Sequence, residues 1–163
     1  RNARQIADAF APLVSEEIDV VGGPGMPVQF VECSDDAEGT ASDLALRLIE
    51  RDGWTRDQIA VLTTKSRHFL QKEAQEAHGQ EGYWDLLWNG DDIFYGTVAG
   101  FKGLERPVIV LAVNGFHDEV DPRGVMYTGM SRARDLLIVV GDADEISVAA
   151  GSDLVARLRG QAH

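Results

Sequence analysis

One cysteine, Cys33, occurs in the 163 residues, so the chain can form no internal disulfide. A reducing compartment is the simplest setting, and a cytoplasmic location is expected. Basic residues are scarce: 15 Lys and Arg stand against 27 Asp and Glu, a net charge of −12. That balance argues against a surface that coats nucleic acid indiscriminately, which needs an excess of cations facing phosphates. Any such contact must be local, in a cleft that focuses its own potential. No apolar run approaches the length that a bilayer span requires, and no membrane partner is expected. The opening stretch RNARQIADAF is polar and helix-like, without the apolar run and cleavage site of a signal peptide, so a soluble, unexported domain is expected. Two phosphate-binding signatures are also missing. No G-x-x-x-x-G-K-[ST] occurs, GGPG at 22–25 lacks the lysine, and no strand runs into G-x-G-x-x-G. A self-contained nucleotide site of either common kind is thereby excluded. His68, His78, His117 and His163 show no metal-ligand spacing, and Asp118, Glu119 and Asp121 read as a solvated acidic loop, so no metal site is expected.

What is present suits one compact domain, long enough to bury a core without staples. Four segments read as strands with few polar interruptions: Val28–Val31, Ile59–Leu62, Val108–Val113 and Leu136–Val140. Their lack of alternation marks strands buried on both faces, hence a mainly parallel sheet with helices on both sides. Ile93–Val98 (IFYGTV) supplies a fifth, interrupted by Gly96. Between the strands the helical period recurs. Ala41, Leu44, Ala45, Leu48 and Ile49 share one face, and Gly53 follows as a stop. Ile6, Ala9, Phe10, Leu13 and Val14 repeat that spacing, and Pro12 should kink or end their helix. Ser66–Ala77 and Tyr83–Trp88 are further helical stretches, and Ser152–Leu158 closes the chain as another. Asp121 and Pro122 read as the N-cap and first position of a helix running to about Arg134. The segment 22–27 (GGPGMP) is a turn-rich connector, and Cys33, ending VQFVEC, is expected as a small core residue. Alternating strands and helices predict an α/β fold with right-handed crossovers.

Two segments carry charge at strand ends, where open α/β sheets bind their ligands. Only about eight residues join IFYGTV to PVIVLAV, fewer than a usual parallel crossover, so the loop must be compact, with Gly100 and Gly103 relieving crowding. It would hold Lys102 and Glu105 at the sheet's edge, although from spacing alone a turn with solvated charges reads as well. The second segment is VMYTGMSRARD, 125–135. On a helix, Val125, Met126, Gly129 and Ala133 form the inward stripe, Thr128 and Arg132 share a flank, and Arg134 points elsewhere. Position alone equally supports Arg132 as a cation at a helix C-terminus. Trp54, Trp84 and Trp88 read as core or interface anchors rather than a base-stacking platform. Lys65, Arg67 and Lys72 form a small basic patch that either touches phosphates or is simply solvated.

TVAGFKGLERPVIVL and VMYTGMSRARDLLIVV together resemble the two C-terminal signature motifs of superfamily 1 helicases of the UvrD/Rep type, T-x-H-x-x-K-G-L-E and L-Y-V-A-x-T-R-A. IAVLTTKSR is similar to the family's IAVLYR-like strand, and RNARQIA to its N-Y-R-[NS]-x-x-x-I segment. The resemblance covers nearly the whole chain, 1–163, as the second RecA-like domain of the motor: a three-layer α/β domain with a mainly parallel sheet. It implies that Glu105 contacts the ribose of ATP and that Arg132 meets the γ-phosphate, with Arg1 as a second γ-phosphate ligand. Thr97 and Lys102 fall on positions of the nucleic-acid side, Tyr127 on the motif aromatic, and Ser131 on the motif threonine. By the same resemblance FKGLE is lodged between nucleotide and nucleic acid. The P-loop and the Mg²⁺-binding acidic pair belong to the motor's first domain, so the chain reads as a fragment whose partners are that domain and single-stranded nucleic acid, most simply DNA. In related NTPases an arginine presented to the transferred phosphoryl group is worth roughly 10³ to 10⁵ in rate, and its always-charged fork suits that task.

The chain departs from the pattern at Ala99, which replaces the motif histidine. Ala99 and the acidic balance keep open a second reading, a non-catalytic helicase-like module that binds a protein or a nucleic acid. A third is a doubly wound domain of unrelated function.

Overall fold

The computed structural model describes residues 2–13 and 26–161. Arg1, Val14 and the GGPG part of the connector lie outside them. Five strands form one sheet: β1 (Gln29–Glu32), β2 (Ile59–Thr63), β3 (Phe94–Thr97), β4 (Arg106–Ala112) and β5 (Ala133–Gly141). Their order is β1-β5-β4-β2-β3, and every pair is parallel. The three central strands are the unbroken apolar runs of the sequence. Because both their faces are covered, Ile59–Leu62 and Val108–Ala112 are entirely buried.

One face carries α2 (Ala37–Asp52), whose Ala41, Ala45 and Leu48 pack on Ile59, Val61, Val108, Val110 and Ile138. Asp36 caps its start through the Gly39 N–H, and Gly53, at φ 78°, ends it in the left-handed conformation. The opposite face packs on α1 (Arg4–Phe10), α3 (Phe69–Trp88), α4 (Pro122–Met130), α5 (Ala143–Ala150) and α6 (Ser152–Gln161). This is the three-layer α/β architecture of a RecA-like domain. Pro12 ends α1 as the sequence suggests, the chain passing into a short 3₁₀ turn at Ala11–Leu13. The two helical stretches around Ser66–Ala77 and Tyr83–Trp88 join as α3 across a kink at Gly79, where the backbone is non-helical.

The fold departs from expectation at three places. The helix opened by Asp121 and Pro122 stops at Met130, not near Arg134, because Ala133 is drawn into β5 opposite Arg106. The first helix after β5, α5, had no strong apolar stripe to announce it, although Asp142 caps it by accepting the Asp144 and Glu145 N–H groups. Cys33, just past the end of β1, is half-buried at the margin of one core rather than fully within it, with its sulfur 3.4 Å from the Thr40 hydroxyl.

The connection from β3 to β4 is residues 98–105, and it has to cross β2, which lies between them. The Phe101 N–H donates to the Thr97 carbonyl at 3.0 Å, closing one turn, and the Leu104 N–H donates to Phe101 in the next. Phe101 is fully buried and its ring lies 5.8 Å from that of Phe94, so the loop is bolted to the core in mid-course. Gly103 is needed for its backbone, at φ 86°, rather than for crowding, since a Cβ there would meet nothing. Gly129 is the position of close approach. A Cβ there would come within 3.0 Å of Leu111 and Val98, so α4 can lie tight against the loop and β4 only without a side chain.

His68 begins α3. Its Nδ1 accepts the Leu70 N–H at 3.0 Å and its Nε2 lies 2.9 Å from the Glu38 carbonyl, which fits only the neutral ring with the proton on Nε2. The side chain is fully buried, and burial pushes its pKa below 6.5, the Glu38 hydrogen bond offsetting part of the effect. A lowered folded pKa means that the unfolded chain binds more protons. The stabilisation is therefore complete above about pH 6.5 and is lost as pH falls through the folded value. Urea midpoints should drop between pH 7.5 and pH 5, and His68→Asn, which keeps a capping acceptor without a titrating ring, should flatten that slope. An unchanged slope in the variant would assign the acid sensitivity elsewhere.

Candidate functional site

The amino ends of β4 and β5 meet at one corner of the sheet. Arg106 and Ala133 are register partners, and the Arg106 N–H donates to the Arg132 carbonyl at 3.2 Å. That bond sets Glu105 and Arg132 side by side although 26 positions intervene in the chain. Arg132 is half-buried and held from three directions: Nε donates to the Thr128 carbonyl at 3.1 Å, Nη1 to the Leu104 carbonyl at 3.3 Å, and Nη2 to the Ser131 hydroxyl at 3.2 Å. Guanidinium has five N–H donors, so two remain to meet a ligand. Glu105 is exposed, and its Oε1 lies 3.9 Å from Nε of Arg134. Both side chains are about half-exposed, so that ion pair contributes little to stability. Arg134 thus stands beside Glu105 instead of pointing away, as a continuing helix would require, because it belongs to β5.

Asn2 stitches the start of the chain to the same corner. Its Nδ2 donates to the Ser131 and Ala133 carbonyls at 2.7 and 2.6 Å, on either side of Arg132, and the Ala3 N–H donates to the Arg134 carbonyl. Arg1 itself lies outside the described residues. Asn2 occupies the [NS] position of the N-Y-R-[NS] pattern, which was the signal available for it.

Arg106, next to Glu105, gave no signal beyond a lone arginine opening a strand. It is 5% exposed, and its guanidinium donates to the carbonyls of Ile59 (2.7 Å), Asp92 (3.2 Å) and Leu87 (3.4 Å), 5.9 Å above the Phe94 ring. Burial lowers its pKa, yet arginine stays charged there. One side chain thereby fixes β2, the approach to β3 and the end of α3 around Glu105. Beyond it lies a cleft of about 310 Å³ lined by Leu87, Trp88, Gly103, Leu104, Glu105 and Arg106. Trp88 is 67% exposed there, whereas Trp54 and Trp84 pack against the two cores.

Thr97 and Lys102 look the other way. Thr97 ends β3 opposite Thr63, at the carboxyl edge of the sheet, and its hydroxyl accepts the Gly100 N–H at 3.1 Å. Lys102 is exposed and borders a largely apolar groove of about 400 Å³ with Thr64, Ala99, His117, Val120 and Thr128. Ala99, where the helicase motif has histidine, forms part of that groove's wall. The site residues therefore fall into two groups on opposite edges, joined by the 98–105 loop. Thr97 and Lys102 lie at the carboxyl ends of the strands, where open α/β sheets usually bind their ligands, whereas Glu105 and Arg132 lie at the amino ends. Tyr127 turns inward, its ring 5.3 Å from Phe10 in an edge-on contact. Among the described residues no group of three or more His, Cys, Asp or Glu could hold a metal ion, and no helix is long and apolar enough to cross a membrane.

No curated protein matches the chain. Among solved structures, the C-terminal domain of a possible DNA helicase from Lactobacillus plantarum WCFS1 superposes with a TM-score of 0.54 at 17% identity, covering 97% of this chain and 92% of that one. At that identity the likeness speaks for the fold. The sequence likeness is more local: residues 92–140 match the model of the UvrD-like helicase C-terminal domain family, a span that contains Thr97, Lys102, Glu105 and Arg132.

Proposed function

We propose that this chain is the C-terminal motor half of an ATP-dependent UvrD-like helicase or translocase, which completes an ATP site held mainly by a P-loop half of the same parent protein. The observation that carries the reading is the bond between the Arg106 N–H and the Arg132 carbonyl, which sets a clamped arginine beside an exposed carboxylate at one corner. A guanidinium with two donors to spare suits a phosphate, and a carboxylate suits a sugar diol as hydrogen-bond acceptor. The donor set fits the polyphosphate and ribose ends of a nucleotide. It does not fit Mg²⁺, whose ligands the proposal leaves to the partner half. Bound ATP would supply the phosphoryl group transferred to water. Arg132 would stabilise charge developing on that group, and Glu105 would orient the sugar. Thr97 and Lys102, on the other edge, would hold single-stranded nucleic acid, so closure of the two halves could change the grip on the strand.

The purified 163-residue chain should show no ATP turnover, and turnover should appear when the P-loop half is joined to it. Hydrolysis by the isolated chain at the rate of a whole motor would refute this division of labour. Ala99 favours the second reading, a non-catalytic binding module, because it removes one polar contact of the motif. A parent sequence without a P-loop and acidic pair upstream would decide for that reading.

A further inference from the structure

Although the chain carries a net charge of −12, three cations gather after β2: Lys65, Arg67 and Lys72, all exposed. Among the described residues none of them forms a salt bridge; Arg67 donates to the neutral Gln75 amide at 2.6 Å, which leaves its charge uncompensated. In their midst stands Phe69, 48% exposed. An exposed phenylalanine is ordinarily mobile, but this one is backed by a stack. Its ring lies 4.4 Å from that of buried His68 at 31°, and His68 lies 4.8 Å from Tyr95. The Phe69 N–H donates to the Glu38 carboxylate at 3.2 Å, and Asn114 donates to the other oxygen of Glu38, so the nearby carboxylate is drawn toward the protein. The patch also continues a surface described above. Thr63 is the register partner of Thr97, Thr64 lines the Lys102 groove, and Lys65 follows directly.

We infer that Phe69 is a base-stacking platform for single-stranded nucleic acid, with Lys65, Arg67 and Lys72 holding the phosphates on either side. The inference rests on the proposed function and extends its strand path along the carboxyl edge, from Lys102 past Thr64 to the start of α3. A flat aromatic face with flanking cations matches an unpaired strand, which exposes π-faces and one charge per nucleotide. An acidic peptide offers the charges without the bases, and a duplex hides its bases.

The test measures binding of a fluorescently labelled, mixed-sequence 20-nucleotide DNA to the full-length protein by anisotropy across a salt series. Phe69→Ala should weaken binding about 10-fold without altering the salt slope, and Phe69→Tyr should restore it. Lys65→Gln with Arg67→Gln should instead lower the slope by roughly 0.7 per charge removed. The thermal midpoint should stay unchanged in Phe69→Ala. Equal affinity of Phe69→Ala and the parent overturns the platform, as does equal competition by poly-glutamate or blunt duplex. If Lys102→Ala still weakens binding in that case, the proposed function survives without it; a parent protein that binds no strand overturns both.

Discussion

Replacing Arg132 by alanine in the full-length protein should lower kcat for ATP hydrolysis by about 10³-fold or more while changing ATP binding by no more than about 3-fold. The asymmetry follows from how the side chain is held. Three of its donors are spent on Thr128, Leu104 and Ser131 before any ligand arrives, so the fork is positioned in advance. A group fixed in that way gains most where charge builds up, which is in the transition state rather than on binding. About 10³-fold corresponds to about 4 kcal/mol of barrier. Arg132→Lys should recover little, because an ammonium cannot reach the Thr128 and Leu104 carbonyls and still present two parallel donors. Single-turnover kinetics alongside equilibrium nucleotide binding separate the two quantities. Small and equal losses in both would make Arg132 a turn-stabilising residue.

The second large effect concerns Arg106. Truncation to alanine should destabilise the chain by about 3–4 kcal/mol, read as a lower urea midpoint, a substantial part of the total stability of an ordinary domain. The buried carbonyl of Ile59 and the part-buried carbonyls of Asp92 and Leu87 would lose their donor at once, and the contact over Phe94 would go with it. Unmet buried acceptors cost more than the bonds contribute when made. Arg106→Met, which restores volume but no donor, should recover only the packing share. Arg106→Lys should recover one bond. If Arg106→Met were as stable as the parent, the carbonyls would have to be satisfied by solvent and the clamp would be incidental.

Much of the fold could be read from the chain because its strands are apolar on both faces. Ile59–Leu62 and Val108–Val113 admit only a covered parallel sheet, and the expected strands all lie in the observed one. The sequence pattern carries α4 too far because Val125, Met126, Gly129 and Ala133 keep a helical spacing across the boundary. What ends the helix is the pairing of Ala133 with Arg106, a contact that no local pattern encodes. The same non-locality hid Arg106, His68 and Asn2, whose partners lie far along the chain. Glu105 and Arg132 were named from motifs, but their adjacency depends on β4 and β5 being neighbours, which the motifs do not state. Trp88 went unrecognised as the exposed tryptophan because α3 presents no strongly one-sided apolar face.

The crossing between β3 and β4 has little slack. Eight residues can span at most about 26–29 Å when fully drawn out, and here part of that reach is consumed by a turn and by the plug of Phe101. Such a segment has the build of a stiff connecting rod rather than a tether, pinned in mid-course between its Thr97 and Glu105 ends. Lengthening by a single residue would be enough to turn the rod into a spring.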